Sequence, residues 1–143
     1  MRKVVMVIAL IMLALITACG DKEASDKGPS HIPVKWANAM IQRDDRARLE
    51  MLEKPTKALD SGKGPENKKK VTNYELTEWK SSSKKYFYEI KFIDPISDKG
   101  RTEQMEVVKT DKGWKRTQFS NLKDFSEVTK NLDRSTLKEM NES

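Results

Sequence analysis

The run Lys84-Lys85-Tyr86-Phe87-Tyr88-Glu89-Ile90-Lys91-Phe92-Ile93 (KKYFYEIKFI) decides the fold. Tyr86, Tyr88, Ile90 and Phe92 recur at every second position, the spacing of a β-strand with one buried face. The segment contains neither glycine nor proline and is rich in the aromatic and β-branched residues that suit a pleated surface. The same period continues on both sides. Val71 to Lys80 reads as a strand with Tyr74 and Leu76 on one side, and Arg101 to Thr110 carries Met105 and Val107 in alternation. Trp114 to Phe119 restarts the pattern after the turn Asp111-Lys112-Gly113, and Asp94 to Gly100 (DPISDKG) is dense in turn formers. Four strands joined by short connections predict an antiparallel meander.

Upstream the period lengthens. Trp36, Ala37, Met40 and Ile41 recur at spacings of three and four, which predicts a helix from Val34 with Pro33 acceptable in its first turn. Ala47, Leu49, Met51 and Leu52 predict a second helix that Pro55 ends. Asp44 or Asp45 suits its N-cap, where a carboxylate accepts from the free amides of the first turn. Thr56 to Leu59 has room for a third short helix, and Ser61 to Lys70 (SGKGPENKKK), with no apolar residue, is a loop. In the polar tail, Leu122, Phe125, Val128 and Leu132 fall on one narrow helical stripe, compatible with a C-terminal helix docked on the sheet. Helices first and strands afterwards is the order of an α+β domain with N-terminal helices packed on a curved four-stranded meander.

The amino terminus is a different object. Arg2 and Lys3 precede fifteen uncharged residues, Val4 to Ala18, the layout of an export signal. As a helix this run would reach about 22 Å, short of the roughly 30 Å hydrocarbon core that a permanent span must cross. Gly20 to Pro33 (GDKEASDKGPSHIP) has almost no apolar side chain and reads as a flexible tether, with His31 a solvated linker residue. The chain therefore divides into a signal (1–18), a tether (19–33), a folded domain (34–119) and a polar tail (120–143).

Two stretches carry resemblances. Ile16-Thr17-Ala18-Cys19 resembles a bacterial lipoprotein signal. The resemblance implies cleavage before Cys19 and a diacylglycerol with palmitate-type chains in thioether linkage to its sulfur. It would place the protein on the extracytoplasmic face of the cell membrane, anchored by lipid; the alternative is a free thiol at the end of an ordinary signal. VKWANAMIQRDDRARLEMLE and EVVKTDKGWKRTQF resemble the NTF2-like (cystatin-like) superfamily, and the likeness covers roughly Val34 to Phe119. It implies a cone in which a bent sheet wraps the helices and leaves a pocket. Some relatives place an Asp, Tyr or His there as enzymes, and others only bind or dimerise. A one-helix, four-strand cystatin or PepSY-like arrangement fits the same residues.

Composition narrows the partners. Loss of Arg2 and Lys3 with the signal takes 28 basic residues to 26 against 22 acidic ones, a mild net +4 with Lys and Glu interleaved. That pattern argues against a nucleic-acid partner. Cys19 is the only cysteine and His31 the only histidine, so neither a disulfide nor a metal site is expected, and no motif asks for a cofactor.

The candidate ligand-binding residues are Tyr86, Tyr88, Trp114 and Arg116. With Phe87, Phe92, Trp36 and Trp79, the tyrosines and Trp114 would line an apolar pocket or fill an ordinary core. Arg116 alternates with Trp114 and Gln118, so it is a buried cation awaiting an anion if that face is concave, and exposed if Lys115, Thr117 and Phe119 face inward. Asp44 with Asp45 offers a general-base pair or a helix cap; Arg43, Arg46 and Arg48 beside them favour the cap. Lys63 with Lys68, Lys69 and Lys70, and Lys80 with Lys84 and Lys85, form two basic loops that could meet at one end of the sheet and attract anionic lipid headgroups or acidic wall polymers, or be charged only to stay solvated. No ionisable group has an evident catalytic partner. The expectation is a non-enzymatic binding or accessory module serving an envelope protein, the rival a small-ligand binder, and the remotest alternative an isomerase or hydrolase.

Overall fold

The computed structural model of the chain describes residues 28–141; the predicted signal, Cys19 and most of the predicted tether lie outside them. Helix α1 (His31–Gln42) begins three residues before the predicted start, and His31, expected in the tether, stands in its first turn. The reason is Ile32, one turn before Trp36 on the same face; both are buried, as is Pro33, whose missing N–H costs nothing in a first turn. Arg43 ends the helix in the left-handed region (φ 53°), its N–H bonded back to Ala39 and Met40. Helix α2 (Asp45–Met51) starts at once, capped by Asp44, whose Oδ1 accepts from the Ala47 N–H at 3.0 Å.

The third helix predicted over Thr56 to Leu59 is a turn instead. Thr56 Oγ1 accepts from the Ala58 N–H at 3.2 Å, a local bond that competes with helix formation in so short a segment. The loop from Ser61 to Lys70 lies along the C-terminal half of α1. Its groups bond the carbonyls that the helix end leaves open: Asn67 Nδ2 donates to Ile41 O at 3.0 Å, and the Glu66 N–H to Gln42 O at 2.8 Å.

The sheet is antiparallel and open, with five strands where four were expected. β1 (Tyr74–Ser82), β2 (Lys85–Ile93), β3 (Gly100–Thr110) and β4 (Gly113–Arg116) form the predicted meander, and β5 (Asp133–Lys138) adds to the far side of β1, giving the order β4-β3-β2-β1-β5. Leu76, Tyr88, Ile90, Phe92, Met105 and Val107 point to the face covered by α1 and α2, where they meet Ile32, Trp36, Ala37, Ile41, Met51 and Leu52 in one core. β4 is shorter than predicted. The Thr117 N–H still makes the next ladder bond, to Glu106 O at 3.0 Å, and the chain then leaves the sheet, so that Phe119 stands edge-on to Trp36, ring centres 6.3 Å apart.

The tail is not one helix. α3 (Phe125–Thr129) is five residues long, and the chain then extends into β5. Phe125 and Thr129, one turn apart, face inward, whereas Val128 on the predicted stripe is exposed. Phe125 covers the reverse of the sheet, edge-on to Trp79 (5.2 Å) and Phe87 (6.5 Å). Alternation in β1 and β2 puts these two side chains opposite Tyr86, Tyr88 and Glu78, so the sheet carries a second, small core behind the first.

Candidate functional site

Pairing of β1 to β2 aligns Glu78 with Tyr88, and the Tyr88 hydroxyl donates to Glu78 Oε2 at 2.5 Å. Burial and the adjacent carboxylate push the Tyr88 hydroxyl pKa far up, so it remains a proton donor committed to that bond. Tyr86 stacks on Tyr88 with ring centres 6.2 Å apart and meets Trp114 edge-on at 5.6 Å. Three of the four candidate residues thus form one aromatic ladder. Tyr88 is fully buried in it, while Tyr86 and Trp114 remain half-exposed.

Arg116, the fourth, faces the core, as the concave branch of the sequence reading requires. Its anion is already present. Nη1 donates to Glu103 Oε2 at 3.1 Å, Nε to Gln118 O at 2.8 Å and Nη2 to Asn121 Oδ1 at 3.3 Å. Burial lowers the Arg116 pKa to about 10 against the opposing pull of Glu103. The flat guanidinium lies 4.1 Å from the centre of the Trp36 ring.

Arg48 of α2 packs against Trp36 as well, 5.0 Å from its ring centre and 4.9 Å from that of Phe119. Asp45 pairs with it at 3.6 Å, and burial lowers the Arg48 pKa despite that carboxylate. Sequence reading missed this stack because its members come from α1, α2, β4 and the segment after it; no local spacing links them. Asp44 and Asp45 likewise separate in role, the first capping α2 and the second holding Arg48.

The two basic loops do not meet. Lys63 to Lys70 lies beside the C-terminal end of α1 and the start of β1, where Gln42 Nε2 reaches Lys69 O at 2.9 Å. Lys84, in the turn to β2, and Lys85, the first residue of β2, lie at the other end of β1, and the Lys84 carbonyl accepts from the Lys109 N–H at 2.9 Å. A nine-residue strand separates the groups by about 30 Å, which rules out one combined patch.

The cationic side chains that do gather lie elsewhere. The first turn of α1, helix α2 and the β3–β4 turn border a cleft of about 430 Å³. Ile32, Met51 and Trp114 give it apolar walls, and Lys35, Lys112 and Lys115 surround them, with Glu50 the one carboxylate. The Lys115 ammonium is pinned to the Glu50 carbonyl, and the Lys109 ammonium sits 5.5 Å over the Trp114 ring. Lysines around an aromatic floor suit an anionic group carried on an apolar body. Of the candidate residues, Trp114 alone lines this cleft. The signal for it is present in DKGWK, where two lysines flank a tryptophan just after a turn, but α1 and α2 supply the rest.

Among the described residues no group of His, Cys, Asp or Glu is arranged to hold a metal ion, and no helix is long and apolar enough to cross a membrane. No family model, curated protein or solved structure matches the chain.

Proposed function

We propose that the protein is a lipid-anchored extracytoplasmic lipoprotein whose folded domain is a non-enzymatic binding or accessory module of the cell envelope. The observation that carries this reading is Cys19, directly after Ile16-Thr17-Ala18 at the end of an uncharged run with a basic start. Two acyl chains suit the task, since one gives only marginal membrane binding while each buried methylene contributes about 0.8 kcal/mol. A binding role is supported by the way three buried ionisable side chains are held: Arg116 by Glu103, Tyr88 by Glu78, and Asp94 by two backbone amides. An acid–base catalyst needs such a group poised toward a substrate. The finer fold reading, NTF2-like or cystatin-like, draws support from α1 crossing one face of an antiparallel meander, although β5 extends the sheet beyond the four strands of that resemblance.

The anchor is tested by replacing Cys19 with serine and feeding cells labelled palmitate. The unaltered protein should take up label and sediment with membranes, and the Cys19→Ser variant should lose both properties. Equal labelling of the two would overturn the assignment.

A second reading, a small-ligand binder, rests on the cleft beside Trp114. It would be favoured by saturable chemical-shift changes at Trp114 and Met51 on titration with an amphiphilic anion.

A further inference from the structure

We infer that the end of the domain formed by the β1–β2 turn, the β3–β4 turn and the first turn of α1 is a docking surface for the anionic phospholipid headgroups of the membrane that holds the anchor. The inference rests on the lipoprotein reading and adds to it which face the domain turns toward the bilayer.

Two contacts bring these three elements together. The Lys109 N–H bonds the Lys84 carbonyl, which ties the two turns side by side, and the cleft joins the β3–β4 turn to the start of α1. Lys35, Lys84, Lys85, Lys109, Lys112 and Lys115 therefore share one end, with Glu50, Glu53, Glu106 and Asp111 the carboxylates that border the same turns and clefts. Lys85 is paired with Glu106 at 3.6 Å. Lys35, Lys84 and Lys112 are exposed and make no ion pair among the described residues.

Chain connectivity selects this end over the other. Nine residue steps lead from Cys19 to residue 28, a contour of at most about 32 Å, and His31 opens α1 beside the lysines. Attraction to anionic lipid decays within about 8 Å at physiological salt, so a lysine counts only where the fold holds it against the surface. The end at which the chain enters the domain can be so held. To present the triplet Lys68-Lys69-Lys70, a full strand length away, the tether would have to be drawn out to nearly its whole contour, at a cost in chain entropy. Tethering also raises the effective concentration of the surface to the millimolar range, so a handful of lysines suffices. Trp114, half-exposed among them, is of the kind that settles at the headgroup level.

The test is hydrogen exchange on the full acylated chain in vesicles of phosphatidylcholine alone and with 30% phosphatidylglycerol. Amides of residues 110–115 and 31–35 should exchange about tenfold more slowly in the anionic vesicles only, and 0.5 M NaCl should remove the difference. Lys35→Glu, Lys84→Glu and Lys112→Glu together should abolish it, since each neutralised lysine alone is worth roughly fivefold in partitioning. Lys68→Glu, Lys69→Glu and Lys70→Glu should leave it intact. Equal exchange in both vesicles, or protection at residues 66–71 instead, would overturn the proposal. Mass spectrometry of Cys19 reads the anchor separately. A Cys19 without lipid overturns the anchor and this inference together, whereas lipid on Cys19 with equal exchange in the two vesicles overturns this inference alone.

Discussion

The guanidinium of Arg116, at the end of β4, covers the ring of Trp36 in α1 at 4.1 Å, and both side chains are all but inaccessible to solvent. A cation is thereby placed in the main core, at the point where helix and sheet meet. Its neutralisation comes from Glu103 on β3, which is on the same sheet face and 14% exposed.

Removing either partner leaves the other charge without its counterpart, and breaking a buried pair typically costs about 3–5 kcal/mol. Arg116→Met should therefore lower the urea midpoint sharply. Arg116→Met combined with Glu103→Leu should recover most of the loss, because replacing both members of a buried pair by apolar groups is often neutral or better. An unchanged midpoint in the single variant would contradict this account of the pair.

The tryptophans should separate by burial. Trp36 is 1% exposed, lies between two arginines and meets Phe119, so Trp36→Ala should cost about 3–5 kcal/mol. Trp114 is half-exposed on a cleft wall, and Trp114→Ala should cost roughly half as much by the same scaling. Thermal unfolding orders the two. If Trp114→Ala proved the more damaging, the cleft would be part of the core and not a surface.

How much of this was legible in the sequence depends on the range of each signal. The period of two in β2 is local, so the inward set Tyr86, Tyr88, Ile90 and Phe92 could be read directly. Phe87 is a residue of the same strand, yet its environment is set by Phe125 in α3, and no short window contains both. The face of Arg116 is ambiguous in the sequence because Phe119 extends the alternation with the opposite phase; β4 stops at Arg116 and the conflict disappears. β5 gave no signal at all. DRSTLK has a single apolar side chain, Leu137, which is exposed, and the strand exists because β1 offers an unpaired edge. The cleft was half legible: its lysines and Trp114 are neighbours in sequence, but Ile32 and Met51 reach it only through the packing of α1 and α2.

Acid should weaken the β2–β3 connection. Burial pushes the Asp94 carboxyl up, but the N–H groups of Ile96 (2.8 Å) and Ser97 (3.2 Å), together with Arg101 (3.4 Å), outweigh it and hold its pKa below the ordinary value. A carboxylate whose pKa is lowered on folding stabilises the native state above its unfolded pKa, near 3.9, and loses that contribution as pH falls through the folded value. Asp94→Asn should therefore melt lower than the unaltered chain at pH 7, and the difference should close as acid takes the pH down through the folded value. A difference of the same size at both pH values would mean that the carboxylate charge is not what the turn uses.

The last strand invites a cut. β5 pairs with β1 from Lys80↔Asp133 to Leu76↔Lys138, and Arg134 covers the Trp79 ring at 5.8 Å. Ending the chain after Lys130 removes these bonds and leaves β1 as a nine-residue edge. A long, uncovered edge is a template for pairing with a second copy, so the shortened chain should associate with rising concentration, seen by light scattering after size exclusion. Its melting temperature should fall by roughly 5–10 °C, corresponding to about 1–2 kcal/mol in a domain of this size. Leu137→Ser should do neither, because that side chain is 45% exposed and β5 is held through its backbone. A shortened chain that stays monomeric and melts unchanged would show that β5 contributes nothing to the sheet.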